Sequence, residues 1–474
     1  MKMTPSSPPF LPGHLFHCDP TCREIDGRFW VFCTHDQSSS AFQAPEDYWD
    51  NMYSYQAYST ADFEEWVSHG SILSRFDIDW ADANALWDGD AGIKGPDGKF
   101  YAYMPFRCVS QRTGKWSFKM AVMVADQPEG PYRDALGRPF LTDEDLLDQG
   151  FELPEGRRGN LCLSPTVTYD ESGAPWLLFG QFKAFIAPLA PTMTALAGPI
   201  RELDIPLKGG EAVEYIEGPM LDHIAGRWRF TYMTYKNWQG KPNRYFDESD
   251  PEGPYIQVCE SDSMFGPFSN PKHWIYPYRP DDANIQQCLA RFGERWIVAY
   301  HLPWKKGSQH RRTAITEVHL DAAGNLMPIH PENDTGLGEP TKRHLILSAK
   351  GKRFAQEFSE IHKGELIQGP LKSHHVRLQP GGWIKFPQMR FDGGETKVSI
   401  GLLPSETDRK DCSFEIRLNS PEGMLVGQAA EIRGHDKESV CCFSIPIVDL
   451  HDFFVVNPSD NSATISFHYL SIHA

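Results

Sequence analysis

Five short phrases of this chain place a carboxyl, a hydroxyl or an amide seven to ten residues ahead of a glycine turn. They are Asp19 in HCDPT, Asp88 and Asp90 in LWDGDAG, Ser164 in LSPT, Glu217 in EGPM, and Gln286 with Gln287 in IQQC. Carboxyls gathered from distant parts of a chain can divide proton donation and acceptance between them, which is the chemistry of general acid and base catalysis. Taken singly, each residue reads as a turn or strand-end residue, and Asp-Pro is a common turn pair. Recurrence at one offset sets them apart.

The elements that must position them follow from the turns. A Gly followed by an aromatic-rich run recurs as DGRFWVF at 26–32, DGKFYAYM at 97–104, SGAPWLLFG at 172–180, AGRWRFTYM at 225–233 and FGERWIVAYH at 292–301. Each copy follows a short apolar stretch and so predicts a hairpin. The copies lie roughly 55–75 residues apart, room for a four-stranded sheet each. Five such sheets set radially make a five-bladed β-propeller, with the strand starts lining a central channel. The alternative is an all-β sandwich of unrelated hairpins. A second phrase, in STADFEEW at 59–66, VADQPEGPY at 124–132 and ESDSMFGPF at 260–268, fits an Asp-led turn closing an outer strand.

Composition agrees. The chain has 474 residues, with 46 Lys and Arg against 63 Asp and Glu, a formal charge of −17. That balance argues against a nucleic-acid partner, which needs clustered cations, and suits a neutral substrate such as a sugar. No apolar run is long enough to span a membrane. The first residues, MKMTPSSPPFLPGHLFH, have no signal-peptide core. The ten cysteines show no metal spacing, so reduced thiols in a cytoplasmic protein are expected. Neither a phosphate-binding GxxxxGK[ST] loop nor an HExxH zinc motif occurs.

In order along the chain, GHLFHCDPTCREIDGRFWVFCTHD, ALWDGDAGIKGPDGKFYAYM, LSPTVTYDESGAPWLLFG, YIEGPMLDHIAGRWRFTYM and HRRTAITEVHLDAAGNLMP resemble glycoside hydrolase family 43, over roughly residues 10–335. The resemblance implies a five-bladed propeller and glycoside hydrolysis with inversion. It implies Asp19 as general base and Glu217 as general acid. The family's third acid, which tunes the general acid, falls on Ser164, a departure. Asp90 matches an acidic position after the family's Trp-Ala-Pro phrase. Asp88 stands where that phrase has Ala, an additional carboxyl that, with Asp90, is a candidate to take over the tuning. A family His in the channel, which helps hold a metal or water cluster, falls on Gln286, a poor metal ligand; no cofactor is expected, and a central calcium is in doubt. The family's fifth-blade Arg falls on Arg311, beside Arg312. His17 and Trp87 adjoin the channel acids and are the leading candidates to contact sugar; Trp30, His35, Phe106 and Trp238 are weaker ones.

After a linker at 336–350, residues 351–474 alternate apolar and polar positions between turn residues, which predicts a β-sandwich. SFEIRLNSPEGMLVG and HDFFVV resemble a family 6 carbohydrate-binding module, a jelly roll, with Trp383 as a candidate ring platform. The expectation is an all-β protein: a catalytic propeller over 1–335 followed by this sandwich. It would act exo on an oligo- or polysaccharide, releasing α-L-arabinofuranosyl or β-D-xylosyl units, or else β-galactosyl or another furanosyl unit. The alternative is a propeller of weak or no activity that binds carbohydrate.

Overall fold

The computed structural model describes residues 10–39, 52–80, 85–110, 114, 116–151, 161–206, 214–280, 284–303, 310–334, 336–339, 341–368, 373–402, 412–432, 438–461 and 464–473. Their regular secondary structure is almost entirely strand; Asp143–Asp148 is the one α-helix among them. Antiparallel sheets follow one another along the chain in a propeller-like arrangement. The first runs Leu15–Ile25, Arg28–Ser39, Ser54–Thr60, Glu65–Ser74. The second is built on Phe100–Val109, with Asp90–Lys94 on one side and Trp116–Ala125 on the other. The third begins at Thr166–Tyr169, the fourth at Glu217–Ile224 and the fifth at Gln287–Phe292.

Every glycine phrase forms the turn and second strand of a hairpin. Two of the turns need backbone that most residues avoid. Asp26 and Gly27 have φ of 49° and 75°, and Ala225 and Gly226 have 50° and 77°. Positive φ at both central residues is the two-residue hairpin turn whose twist matches the strands it joins.

The second strands show almost no alternation: RWRFTYMTY at 227–235 is exposed only at its first residue. The reason is that each sheet packs on both faces. Phe32 and Tyr55 of the first sheet meet Met104 and Ala121 of the second. Tyr101 and Met120 meet Leu177 and Phe185 of the third. Leu178 and Ile186 meet Leu221 and Phe230 of the fourth. Met233 and Ile256 meet Leu289 and Val298 of the fifth. Ile297 and Ala299 return to Phe29 and Val31 of the first. The succession therefore closes, and the first strands of the sheets come together at its centre.

The C-terminal strands are hydrogen-bonded to the first sheet. His344–Ser348, inside the expected linker, pairs in parallel with Glu65–Ser68, and Gly351–Phe354 joins the same strand at Ser71. Beyond them the strands hold a core of their own, including Phe386, Phe414, Phe453 and Phe467. Arg353 pins the junction. It donates to the carbonyls of Ser68 and Ser348, both at 2.9 Å, and faces the buried Glu357 at 3.8 Å. Removing one partner of a buried pair leaves the other charge without compensation. Arg353→Ala is expected to lower stability by about 3 kcal/mol in denaturant unfolding, and a second change, Glu357→Gln, to recover part of that loss.

Candidate active site

Local backbone irregularities aim the site residues inward. The pairing register slips between Cys18 and Thr21, between Asp90 and Ile93, and between Glu217 and Met220. A bulge bends its strand and redirects the side chain it carries. Asp19 and Ser164 have φ of 47° and 51°, a conformation non-glycine residues rarely keep without a surrounding structure that enforces it.

Asp19, Asp88, Glu217, Asn284, Gln286 and Arg311 line one narrow cavity, with Met52 and Trp87 as its apolar wall. It holds about 10 Å³, space for a single water. An adjoining cavity brings Ser164 and Thr166 against Asp19, Asp88 and Gln286. Residues from all the sheets thus meet at one point.

Arg311 organises the surroundings of Asp19. Its guanidinium is 1% exposed and donates to Asp19 at 3.1 Å, to Asp36 at 2.9 Å and to Asn284 at 3.2 Å. Burial pushes the Asp19 carboxyl up from its ordinary range, while Arg311 and the Cys18 thiol, 3.1 Å away, pull it down. Buried His301 is held neutral by desolvation and by Arg311. Its Nδ1 accepts the Asp19 backbone N–H at 3.0 Å, so the proton is on Nε2, which donates to Asn284 Oδ1 at 3.0 Å.

Glu217 has no ion-pair partner among the described residues. Gln181 donates to Glu217 at 2.5 Å. Burial raises the Glu217 carboxyl to about 7; Asp19 adds to the rise, and Gln181, Arg311 and Asn284 oppose it. Asp88 accepts hydrogen bonds from the Ser164 hydroxyl and from the Gln286 amide, the latter at 2.6 Å. Burial pushes Asp88 well up, and the carboxyls of Asp19 and Glu217 push it further. The three carboxyls titrate as one coupled set.

Other candidates lie elsewhere. Asp90 is fully buried beneath the cavity, paired with Arg23 and accepting the Val167 N–H at 2.9 Å. His17 packs edge-on against Tyr58 and accepts the Thr313 N–H at 3.1 Å; it does not line the cavity. Arg312 caps the carbonyls of Leu11 and Gly13. Phe106 and Trp30 are core residues between the first two sheets, His35 is wholly buried beside Gln56, and Trp238 packs on Tyr235. Asp36, Gln181, Asn284 and His301 escaped the sequence reading. Asn284 alone carried a signal, standing two residues before Gln286 on the same strand start.

Residues 46–326 match the family model for glycosyl hydrolases family 43. The chain belongs to that family. This family 43 glycosidase is 24% identical to a β-D-galactofuranosidase of Aspergillus niger, over 69% of this chain and 86% of the relative. It is 23% identical to an arabinoxylan arabinofuranohydrolase of Bacillus subtilis, over 89% and 83%. A xylosidase/arabinosidase of Humicola insolens is 24% identical over 67% and 98%. Among solved structures, a family 43 arabinoxylan arabinofuranohydrolase from Bacillus subtilis in complex with cellotetraose superposes with a TM-score of 0.53 at 20% identity, covering 97% of this chain and 96% of that one. The hydrolase shares their fold.

A carboxyl whose pKa rises on folding favours the protonated native state. Its contribution is present below about pH 4.5 and is lost as pH climbs toward about 7. Glu217→Gln, which cannot ionise, is therefore expected to match wild type in stability near pH 4.5 and to exceed it by about 2–3 kcal/mol at pH 8. Denaturant unfolding at both pH values measures the difference.

Proposed function

We propose that this family 43 hydrolase is an active, inverting, exo-acting glycosidase on a five-bladed propeller, each closing sheet being one blade. Asp19 is the base and Glu217 the acid. The observation that carries this reading is their convergence on one water-sized space, with Arg311 beside Asp19 and no cation paired with Glu217 among the described residues. Inversion needs two carboxyls on opposite sides of the sugar with a water at the base. Arg311 favours the ionised Asp19 that takes the water's proton. Burial favours the protonated Glu217 that passes its proton to the leaving oxygen.

We read Asp88 as the carboxyl that stands in for the one Ser164 lacks. The Ser164 hydroxyl points its hydrogen at Asp88, so the carboxyl absent from the third sheet is provided by the second, at nearly the same place. Coupling between ionising groups is reciprocal: Glu217 raises Asp88, and an ionised Asp88 raises Glu217. Gln286 stands at the family's metal-associated position, and its amide N–H is donated to Asp88. No step here passes through a metal.

The relatives' names point to pentosyl or furanosyl units: arabinofuranosyl, xylosyl and galactofuranosyl. We assign the substrate to a terminal unit of that class on an oligo- or polysaccharide. The C-terminal strands are read as a β-sandwich, with Trp383, stacked on His362, as its candidate sugar platform.

Against aryl α-L-arabinofuranoside, β-D-xyloside and β-D-galactofuranoside, wild type is expected to release the aglycone from at least one, and Glu217→Gln to lose about 10³-fold or more in kcat. Silence of the wild type across the panel and on arabinoxylan favours the binding-only alternative. Asp88→Asn is expected to move the alkaline limb of the pH–rate profile to lower pH, with Asp90→Asn leaving that limb in place.

A further inference from the structure

The strands that carry the carboxyls run on to the opposite end of the ring, where they enclose a larger cavity of about 430 Å³. That size lies within the range of small-molecule sites. Asp222 faces it from the strand that Glu217 begins, five residues or about 16 Å farther along. Between the two mouths, Arg23 donates to Asp90 and to the Ala91 carbonyl, and so plugs the channel.

The chemistry of this far mouth is not that of the near one. Buried Cys22, Ile93, Leu289 and Ala290 provide apolar lining. The charges around them are largely paired: Lys94 with Asp26 at 3.7 Å, Arg291 with Glu294 at 3.0 Å, Arg23 with Asp90, and Glu24 with the Gly293 N–H at 3.0 Å. Three polar side chains are left over. Asp222, Tyr169 and Trp296 line the cavity and make no side-chain hydrogen bond or ion pair with any described residue. Tyr169 is 41% exposed, although it is a large aromatic at a strand end. Burial lifts the Asp222 carboxyl to about 7, so it carries less than a full charge near neutrality.

We propose that this far mouth is a second carbohydrate-binding site, taking one or two rings of a neutral oligosaccharide. Two aromatic side chains beside an unclaimed carboxyl match what a sugar presents, apolar C–H faces edged by hydroxyls. A strongly charged ligand finds little opposite field there, because the lining charges other than Asp222 already pair. The site needs neither Asp19 nor Glu217 and is independent of which bond the near mouth breaks.

The test uses the full chain as Glu217→Gln, labelled with 5-fluorotryptophan. Trp296→Phe identifies the Trp296 ¹⁹F resonance, and xylotetraose and α-1,5-arabinotriose are the probes. That resonance is expected to shift saturably with at least one probe. Asp222→Ala, and separately Tyr169→Ala on the exposed rim, are expected to weaken that titration about tenfold. The same two changes in otherwise wild-type protein are expected to leave aryl-glycoside turnover unchanged. A Trp296 signal that stays fixed at millimolar concentrations of both probes overturns the proposal. So does a titration that both substitutions leave intact in folded protein. Absence of turnover in the wild type would count against the catalytic reading alone, because the fluorine signal is read without chemistry.

Discussion

The Arg311 guanidinium is almost wholly withdrawn from water, and two carboxylates of the first sheet, Asp19 and Asp36, close on it. A cation so buried is tolerated only when paired and hydrogen-bonded on several sides, and Arg311 is satisfied by residues of different strands. It belongs to the fifth sheet and both carboxylates to the first, so the ion pairs that hold Asp19 also lie at the seam where the succession of sheets closes. Phe10 and Leu11 pair onto the same fifth-sheet strand at Ala314 and Thr313, and the Arg312 guanidinium holds the carbonyls of Leu11 and Gly13. Closure of the fold and ionisation of the base share one set of contacts.

Asp19 and Glu217 differ chiefly in environment. Both are buried carboxyls, and desolvation raises both. Asp19 has a full cation, a thiol and a backbone-anchored histidine around it. Glu217 has amides. Low local dielectric magnifies that contrast, since a charge–charge contact there outweighs a charge–dipole one. Asp88 extends the same logic across sheets. Asp88 of the second sheet and Ser164 of the third meet in one space, because the strand starts converge and a side chain from either strand reaches it. Only the location of the negative charge matters electrostatically, not which strand delivers it.

The two mouths of the ring divide the surface of one set of strands. Bulges near the strand starts turn carboxyls into a water-sized space, whereas regular pairing farther along leaves a wide, mixed-polarity opening. At the first sheet's outer edge the C-terminal strands continue the same hydrogen bonding. An otherwise exposed sheet edge, a liability for aggregation, is thereby covered.

The sequence by itself determined the all-β character, the hairpins at their glycine turns and the family likeness, and it singled out Asp19 and Glu217, which line one cavity. Turn chemistry and strand composition act over a few residues and are legible wherever they occur. Asp88 was visible as an extra carboxyl and Ser164 as a missing one, yet only the folded chain shows that the two touch. Asp36, Gln181 and His301 carried no comparable local pattern, since each acts through a partner 36 to 282 residues away. His17 and Asp90 show the converse. Adjacency to Asp19 suggested a role for His17, and a family match one for Asp90, but strand alternation and a slip in register turned one toward Tyr58 and the other toward Arg23. Which side chains share a space, how dry it is and how the charges in it are balanced depend on long-range packing, and those were decided by the tertiary structure.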